Sequence, residues 1–279
     1  MTSRPAAVAG LFYPGDANEL QQQVLSLLNQ AETESVVDSQ LNRQNLRALI
    51  VPHAGYIYSG LSAAFAYNTL VEQQSDQASN LKNQNIKRVV LLGPGHRVAV
   101  NGMAIPSVSS FTTPLGDIAL DIEEINYLLK NNLVLSSDLA HKEEHSLEVQ
   151  LPFLQSTIQE FKLVPIVVGQ CSIESISNLL LRYINNPHDL IVISTDLSHF
   201  LEYSEAQQHD QNTGDKIMLF KYDQFGTNDA CGRIPMAGML KLAKQSDLFI
   251  QQLDMRNSGD TAGDKDRVVG YGSWGLYAK

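Results

Sequence analysis

Cysteine is scarce in this chain of 279 residues: there are two, Cys171 and Cys231, beside a single tryptophan and only 7% aromatic residues. Two cysteines cannot build a disulfide framework, and such sparing use fits a reducing compartment. Basic side chains are also in deficit. Twenty Lys and Arg face thirty Asp and Glu, a formal charge of −10. That balance argues against nucleic acid or an anionic membrane as a partner, because both reward a basic face. No stretch approaches the ~20 apolar residues of a membrane span. The first residues, "MTSRPAAVAGLFYPGD", lack the basic region and long apolar run of a signal peptide. The expectation is a soluble, cytoplasmic protein.

What is present is globular material: 43% hydrophobic and 18% charged residues. Apolar runs of strand length predict strands at Leu46–His53, Ile86–Gly93, Phe161–Gly169, Asp189–Ser194 and Val268–Tyr277. The first four are continuously apolar, as expected when both faces of a strand are covered. Helical patterns lie between them at Ala17–Asn29, Ser59–Gln73, Ile122–Lys130, Glu144–Ile158, Ser172–Ile184, Ser204–Phe220 and Arg233–Gln245. Asp16 suits the cap of the first helix, and Ser59 or Gly60 the start of the second. This alternation predicts one α/β domain over residues 1–279, its largely parallel or mixed sheet covered by helices on both faces. The polar stretch 72–85 reads as a loop within the fold.

Chemistry-bearing residues recur at one place in that pattern. "LIVPH" puts His53 at the carboxyl end of a strand, "VVLLGPGH" puts His96 just past the next, and "LIVISTDLSH" puts Asp196 and His199 past a third. In open α/β sheets ligands bind outside the carboxyl ends of the strands. Cys231 in "NDACGRIP" stands before a helical pattern, where the helix dipole lowers a thiol pKa; it reads as metal ligand or nucleophile, or else as a buried inert thiol. Cys171 also follows a strand, and a relationship between the two cysteines stays open. In "HKEEHSLEVQLPFL", His145 and Glu148 share a face if the segment is helical. His–Glu pairs at that spacing occur in carboxylate-bridged metal sites and, more often, as polar helix starts.

In order along the chain, "LFYPG", "PHAGYIYSG", "LGPGH", "TPLG", "EHSLEVQLPFL", "STDLSH" and "CGRIP" resemble the Memo family over nearly the full length. The resemblance implies a fold like the catalytic subunit of class III extradiol dioxygenases. It implies a transition metal, iron or copper with zinc as a further choice, held by His53, His96 and Cys231. His199 takes the place of an acid–base histidine with Asp196 beside it, and Tyr58 and His145 line the same pocket. Tyr56 and Tyr58 would alternate in an extended segment, so that one of them faces the site. The family is associated in bacteria and archaea with a radical-SAM protein and a small third partner, and in animals with receptor-tyrosine-kinase signalling. Ferrous oxygenases use two histidines and a carboxylate, whereas Cys231 offers a soft thiolate suited to copper(I), zinc or thiolate-bound iron. Catechol ring cleavage is therefore not the expected reaction. Two classes remain: a metal-dependent redox enzyme, or a protein that binds metal or a partner in the old pocket. Arg97 and Arg233 flank the proposed ligands and would suit an anionic small molecule or an acidic peptide.

Overall fold

A computed structural model describes residues 2–34, 45–71 and 82–279. The elements run β1 (Ser3–Arg4), α1 (Ala17–Glu34), β2 (Leu46–Val51), α2 (Tyr56–Asn68), β3 (Arg88–Pro94), β4 (Met103–Ile105), β5 (Ser110–Thr113) and β6 (Gly116–Ala119). Then follow α3 (Ile122–Lys130), β7 (Leu135–Ser136), α4 (Asp138–Lys142), α5 (Leu151–Thr157), β8 (Lys162–Val168), α6 (Ile173–Leu180), β9 (Asp189–Ser194) and β10 (His199–Leu201). The chain ends with α7 (Tyr203–Met218), α8 (Arg233–Gln245), β11 (Phe249–Asn257) and β12 (Val268–Tyr277).

Four strands, in the order β2-β9-β3-β8, are parallel to one another and form the centre of a nine-stranded mixed sheet. Their residues are buried almost without break, which is why they read as unbroken apolar runs. β12 closes one side antiparallel to β2 and carries β10 and β11, while β4 and β7 extend the other. β1, β5 and β6 form a separate three-stranded sheet. Helices flank the large sheet in two groups, α1 with α2 and α5, and α6 with α8. Because the four central strands point the same way, the segments after Val51, Pro94 and Ser194 emerge at one edge. That edge carries the histidines.

Several boundaries differ from the sequence pattern. The second helix opens at Tyr56, with Gly55 as its N-cap and no side-chain cap, so neither Ser59 nor Gly60 begins it. Tyr56 and Tyr58 therefore sit on a helical turn and not in an extended segment. The helix expected at Glu144–Ile158 is shorter. Glu144 and His145 have no regular structure, Ser146–Leu147 is a turn, Glu148–Gln150 is a 3-10 turn, and the α-helix begins at Leu151, with Pro152 in its first turn. Proline is tolerated there because its missing N–H would have no helical partner anyway. His145 and Glu148 consequently do not share a helix face. Asp16 does cap α1, its Oδ1 accepting the backbone N–H groups of Asn18 and Glu19. Most of the polar stretch 72–85 lies outside the described residues.

Candidate metal centre

One ring nitrogen from each of His53, His96 and His145 lies within 4.8 Å of the others. Nitrogens bonded at about 2.1 Å to one tetrahedral ion stand about 3.4 Å apart, so a small inward adjustment would close the set on a metal. The rings pack on one another: His96 and His145 stack at 4.6 Å between centroids, and His53 meets them edge-on at 5.2 and 5.5 Å.

Two of the three rings are fixed by hydrogen bonds that also choose their tautomers. The Ser194 hydroxyl donates to the carbonyl of Ser146 at 2.6 Å and accepts from Gln150 Nε2 at 2.8 Å. Its only proton being committed, it accepts from His53 Nδ1 at 2.9 Å, and the lone pair of His53 is left on Nε2. Glu144 accepts the backbone N–H of His96 at 2.6 Å and its Nδ1–H at 2.9 Å, leaving His96 Nε2 free in the same way. A histidine whose second nitrogen donates to a carboxylate or hydroxyl is the usual arrangement of a metal ligand. The Nδ1 atom of His145 is buried and has no hydrogen-bond partner. Two preset lone pairs and an orphaned imidazole nitrogen fit a metal ion.

The electrostatics keep His53 and His145 neutral, as ligands must be. Burial first, and then the positive end-state of His96, lower His53 to about 3. Burial and His53 lower His145 to about 4. Burial pushes the Glu144 carboxyl up, but its hydrogen bonds with His96 outweigh that and hold it at about 2.

Cys231 stands beside the group, its Sγ 3.3 Å from His53 Nε2. The backbone N–H of Asp196 donates to the sulfur at 3.3 Å. The expected low thiol pKa is not found: burial, and then the Asp196 carboxylate, push Cys231 up to about 12. Its place before α8 does not outweigh those two effects, so a metal ion would have to displace the thiol proton. Gly232 makes the close approach possible, since a Cβ there would lie 2.6 Å from Thr195 Cβ and 2.8 Å from the Ser194 carbonyl. Cys171 is a second free thiol, half-buried.

A cavity of about 470 Å³ opens onto the centre, lined by His96, His199 and Cys231, by the apolar Leu197, Phe200 and Leu201, and by Thr227 and Asn228. His199 donates Nδ1–H to the Leu197 carbonyl at 2.8 Å, which leaves its Nε2 free. Asp196 is buried, its carboxyl raised by desolvation, and its Oδ1 accepts the His53 backbone N–H at 2.7 Å. Tyr58 is half-buried on the first turn of α2. Both it and Asp196 lie close enough to the buried Tyr271 phenol to add to the upward push of burial on that group. Arg97 is exposed in the turn after His96, and Arg233 is the half-buried first residue of α8; neither lines the cavity. A larger depression, about 590 Å³, lies at the opposite ends of the strands, between Lys87 and Asp189. Its Arg88 is paired with Asp121 and Asp189, and it is remote from the histidines.

Sequence reasoning missed Glu144, Ser194 and Gln150, which orient the histidines, and Tyr271. It also gave His145 the role of pocket lining, whereas the structure puts it in the three-imidazole group. The "EEHS" run was the available signal.

The family model described as Memo-like protein matches residues 4–274. The chain belongs to the Memo-like family. Among curated relatives, the MEMO1 family protein of Ignicoccus hospitalis is 36% identical over 295 residues, covering 97% of both chains. That of Aquifex aeolicus is 34% identical over 283 residues, with 97% of this chain and 98% of the relative covered. That of Methanosarcina mazei is 34% identical over 284 residues with the same coverage. The crystal structure of uncharacterized protein JW3007 from Escherichia coli K12 aligns over 84% of this chain and 100% of its own, at TM-score 0.47 and 11% identity, a likeness too distant to bear on function. No helix among the described residues is long and apolar enough to cross a membrane.

Proposed function

We propose that this Memo-like protein is a metal-dependent redox enzyme holding iron or copper at His53, His96 and His145, with Cys231 in reach as a softer ligand. The observation that carries the reading is the pair of committed Nδ1 hydrogen bonds, to Ser194 and Glu144, which preset two Nε2 lone pairs beside a cavity. Imidazoles alone suit zinc, copper and iron alike; a nearby sulfur adds a preference for metals that accept thiolate. When bound, such a metal supplies Lewis acidity and one-electron chemistry. The chain's own residues do the rest. The apolar lining of Leu197, Phe200 and Leu201 takes a small molecule and excludes water from its face. His199, anchored through Nδ1, gives or takes a proton at Nε2. Asp196 holds the His53 backbone in place and sits against the sulfur of Cys231.

The test is metal content and dissociation constant for anaerobically prepared His53→Ala, His96→Ala, His145→Ala, Cys231→Ser and His199→Ala, beside oxygen uptake with a panel of small reducing substrates. His53→Ala and His96→Ala should lose the metal. His199→Ala should keep it and lose turnover by ~10²–10⁴-fold. Retention of metal by both His53→Ala and His96→Ala would overturn the site. Metal binding with no turnover on any substrate, in wild type and His199→Ala alike, would make the protein a carrier.

A further inference from the structure

His53 and His96 are each oriented by a hydrogen bond through Nδ1, but His145 is not. Its Nδ1 is buried and unpartnered, 3.4 Å from Glu144 Oε1 in a geometry that makes no hydrogen bond. Its ring is therefore held by ring packing. Two of its neighbours are the other imidazoles of the cluster, and the third is Phe12, with centroids 4.8 Å apart and planes tilted by 44°. Among the described ring contacts, Phe12 is the one that does not itself offer a ligand atom.

Phe12 belongs to a segment that is tied down at several points. Its carbonyl accepts the Tyr56 N–H at 2.8 Å, and its own N–H donates to the Val8 carbonyl at 2.9 Å. Val8 and Ala7 donate their N–H groups to the buried Glu148 carboxylate at 3.0 and 2.8 Å, and Tyr13 donates its hydroxyl to the same group at 2.6 Å. Arg4 donates to Glu148 at 2.7 Å and to the Glu144 carbonyl at 2.7 Å. The segment thus grips the stretch that carries His145 on both sides of that residue, and lays Phe12 on the ring.

We propose that Phe12 is a positioning residue for His145, and that the N-terminal segment Arg4–Tyr13, locked by Glu148, sets the affinity of the metal centre. The inference rests on the reading of His145 as a metal ligand. A ligand aimed only by packing loses its aim when the packing partner shrinks, and misaligned supporting groups typically cost ~10–100-fold in metal affinity.

The experiment uses Zn²⁺ as a redox-silent probe of the full chain, with affinity from chelator competition and ligation from imidazole ¹⁵N shifts. In wild type, His145 should show a metal-bound nitrogen, assigned by its loss in His145→Ala. Phe12→Ala should bind Zn²⁺ ~10–100-fold more weakly and lose the metal-bound signal of His145 while those of His53 and His96 persist. Phe12→Tyr, which keeps the ring, should restore both. Leu11→Ala, changing the neighbouring residue that is 80% exposed, should behave as wild type. A merely structural role would lower thermal stability without moving the His145 signal. Phe12→Ala with the signal intact and affinity within about twofold of wild type would overturn the inference while leaving the ligand assignment standing. No change on His145→Ala would overturn that assignment instead, and the inference with it.

Discussion

Glu144 spends both carboxylate oxygens on His96, one on its backbone N–H at 2.6 Å and one on its Nδ1 at 2.9 Å, across 48 residues of sequence. A single side chain therefore fixes the position of the histidine and the direction of its ring. Glu144→Gln retains an acceptor but loses the charge that supports the imidazole, and an amide that presents its NH₂ to Nδ1 would favour the wrong tautomer. Metal affinity should fall ~10–100-fold with little loss of fold. Chelator competition on wild type and variant measures it. An unchanged dissociation constant would mean that His96 is oriented by something else.

Gly232 should be intolerant of any side chain. The Cβ of an alanine would meet Thr195 Cβ at 2.6 Å and the Ser194 carbonyl at 2.8 Å, and backbone cannot yield as a flexible side chain can. Gly232→Ala should cost ~1–3 kcal/mol in urea denaturation, the range for overpacking. It should also displace Cys231 from its half-buried seat. In a Cys171→Ser background, alkylation of the remaining thiol should then be faster than in the Gly232 parent. Equal stability and equal alkylation rates would refute the account.

The strand-then-histidine pattern was readable because parallel strands put their carboxyl ends together. Once β2, β3 and β9 are recognised as buried runs, His53, His96 and Asp196–His199 must share an edge. What could not be read depends on pairings remote in sequence. Nothing in "KEEHSLE" says that Glu144 reaches His96 or that Glu148 reaches back to Arg4. The start of α2 was misplaced because Gly55 gives no side-chain cap to recognise. The acidity of Cys231 was misjudged for a different reason. A rule about helix starts describes one local field, whereas burial and Asp196 belong to the assembled site.

Acid should destabilise the protein through its buried neutral histidines, and His141 isolates the effect away from the ligands. Its Nε2–H donates to the Ala104 carbonyl at 3.0 Å, and burial is the main cause that lowers it to about 4. Unfolded, it titrates near ~6.5. Between those values the unfolded chain binds more protons than the folded one, so stability rises with pH across that window and is lost as pH falls through it. The loss from this residue is about 3.5 kcal/mol at most, at ~1.4 kcal/mol per pH unit. His141→Gln, which can still donate to Ala104, should show a shallower fall in stability between pH 7 and pH 5 in urea titrations. Parallel curves for variant and wild type would exclude His141 as a source of acid sensitivity.

Glu148 is the buried anchor on which the N-terminal segment depends, and its removal should be among the costliest single changes. Its side chain is wholly buried and accepts four donors, from Arg4, Ala7, Val8 and Tyr13. Glu148→Ala strands the Arg4 guanidinium, itself 5% exposed, and leaves two backbone N–H groups and a phenol without an acceptor. Breaking a buried pair by removing one partner costs ~3–5 kcal/mol. Arg4 keeps its bonds to the His141 and Glu144 carbonyls, so part of the charge stays solvated by the protein. Arg4→Met combined with Glu148→Ala should therefore be less destabilised than the sum of the two single variants, because the stranded charge is gone. Urea denaturation of the four proteins gives that coupling, and hydrogen exchange at the Ala7 and Val8 amides reports release of the segment directly. A cost below ~1 kcal/mol for Glu148→Ala, the level of an exposed ion pair, or strict additivity in the cycle, would show that the segment is held by its apolar contacts and not by this carboxylate.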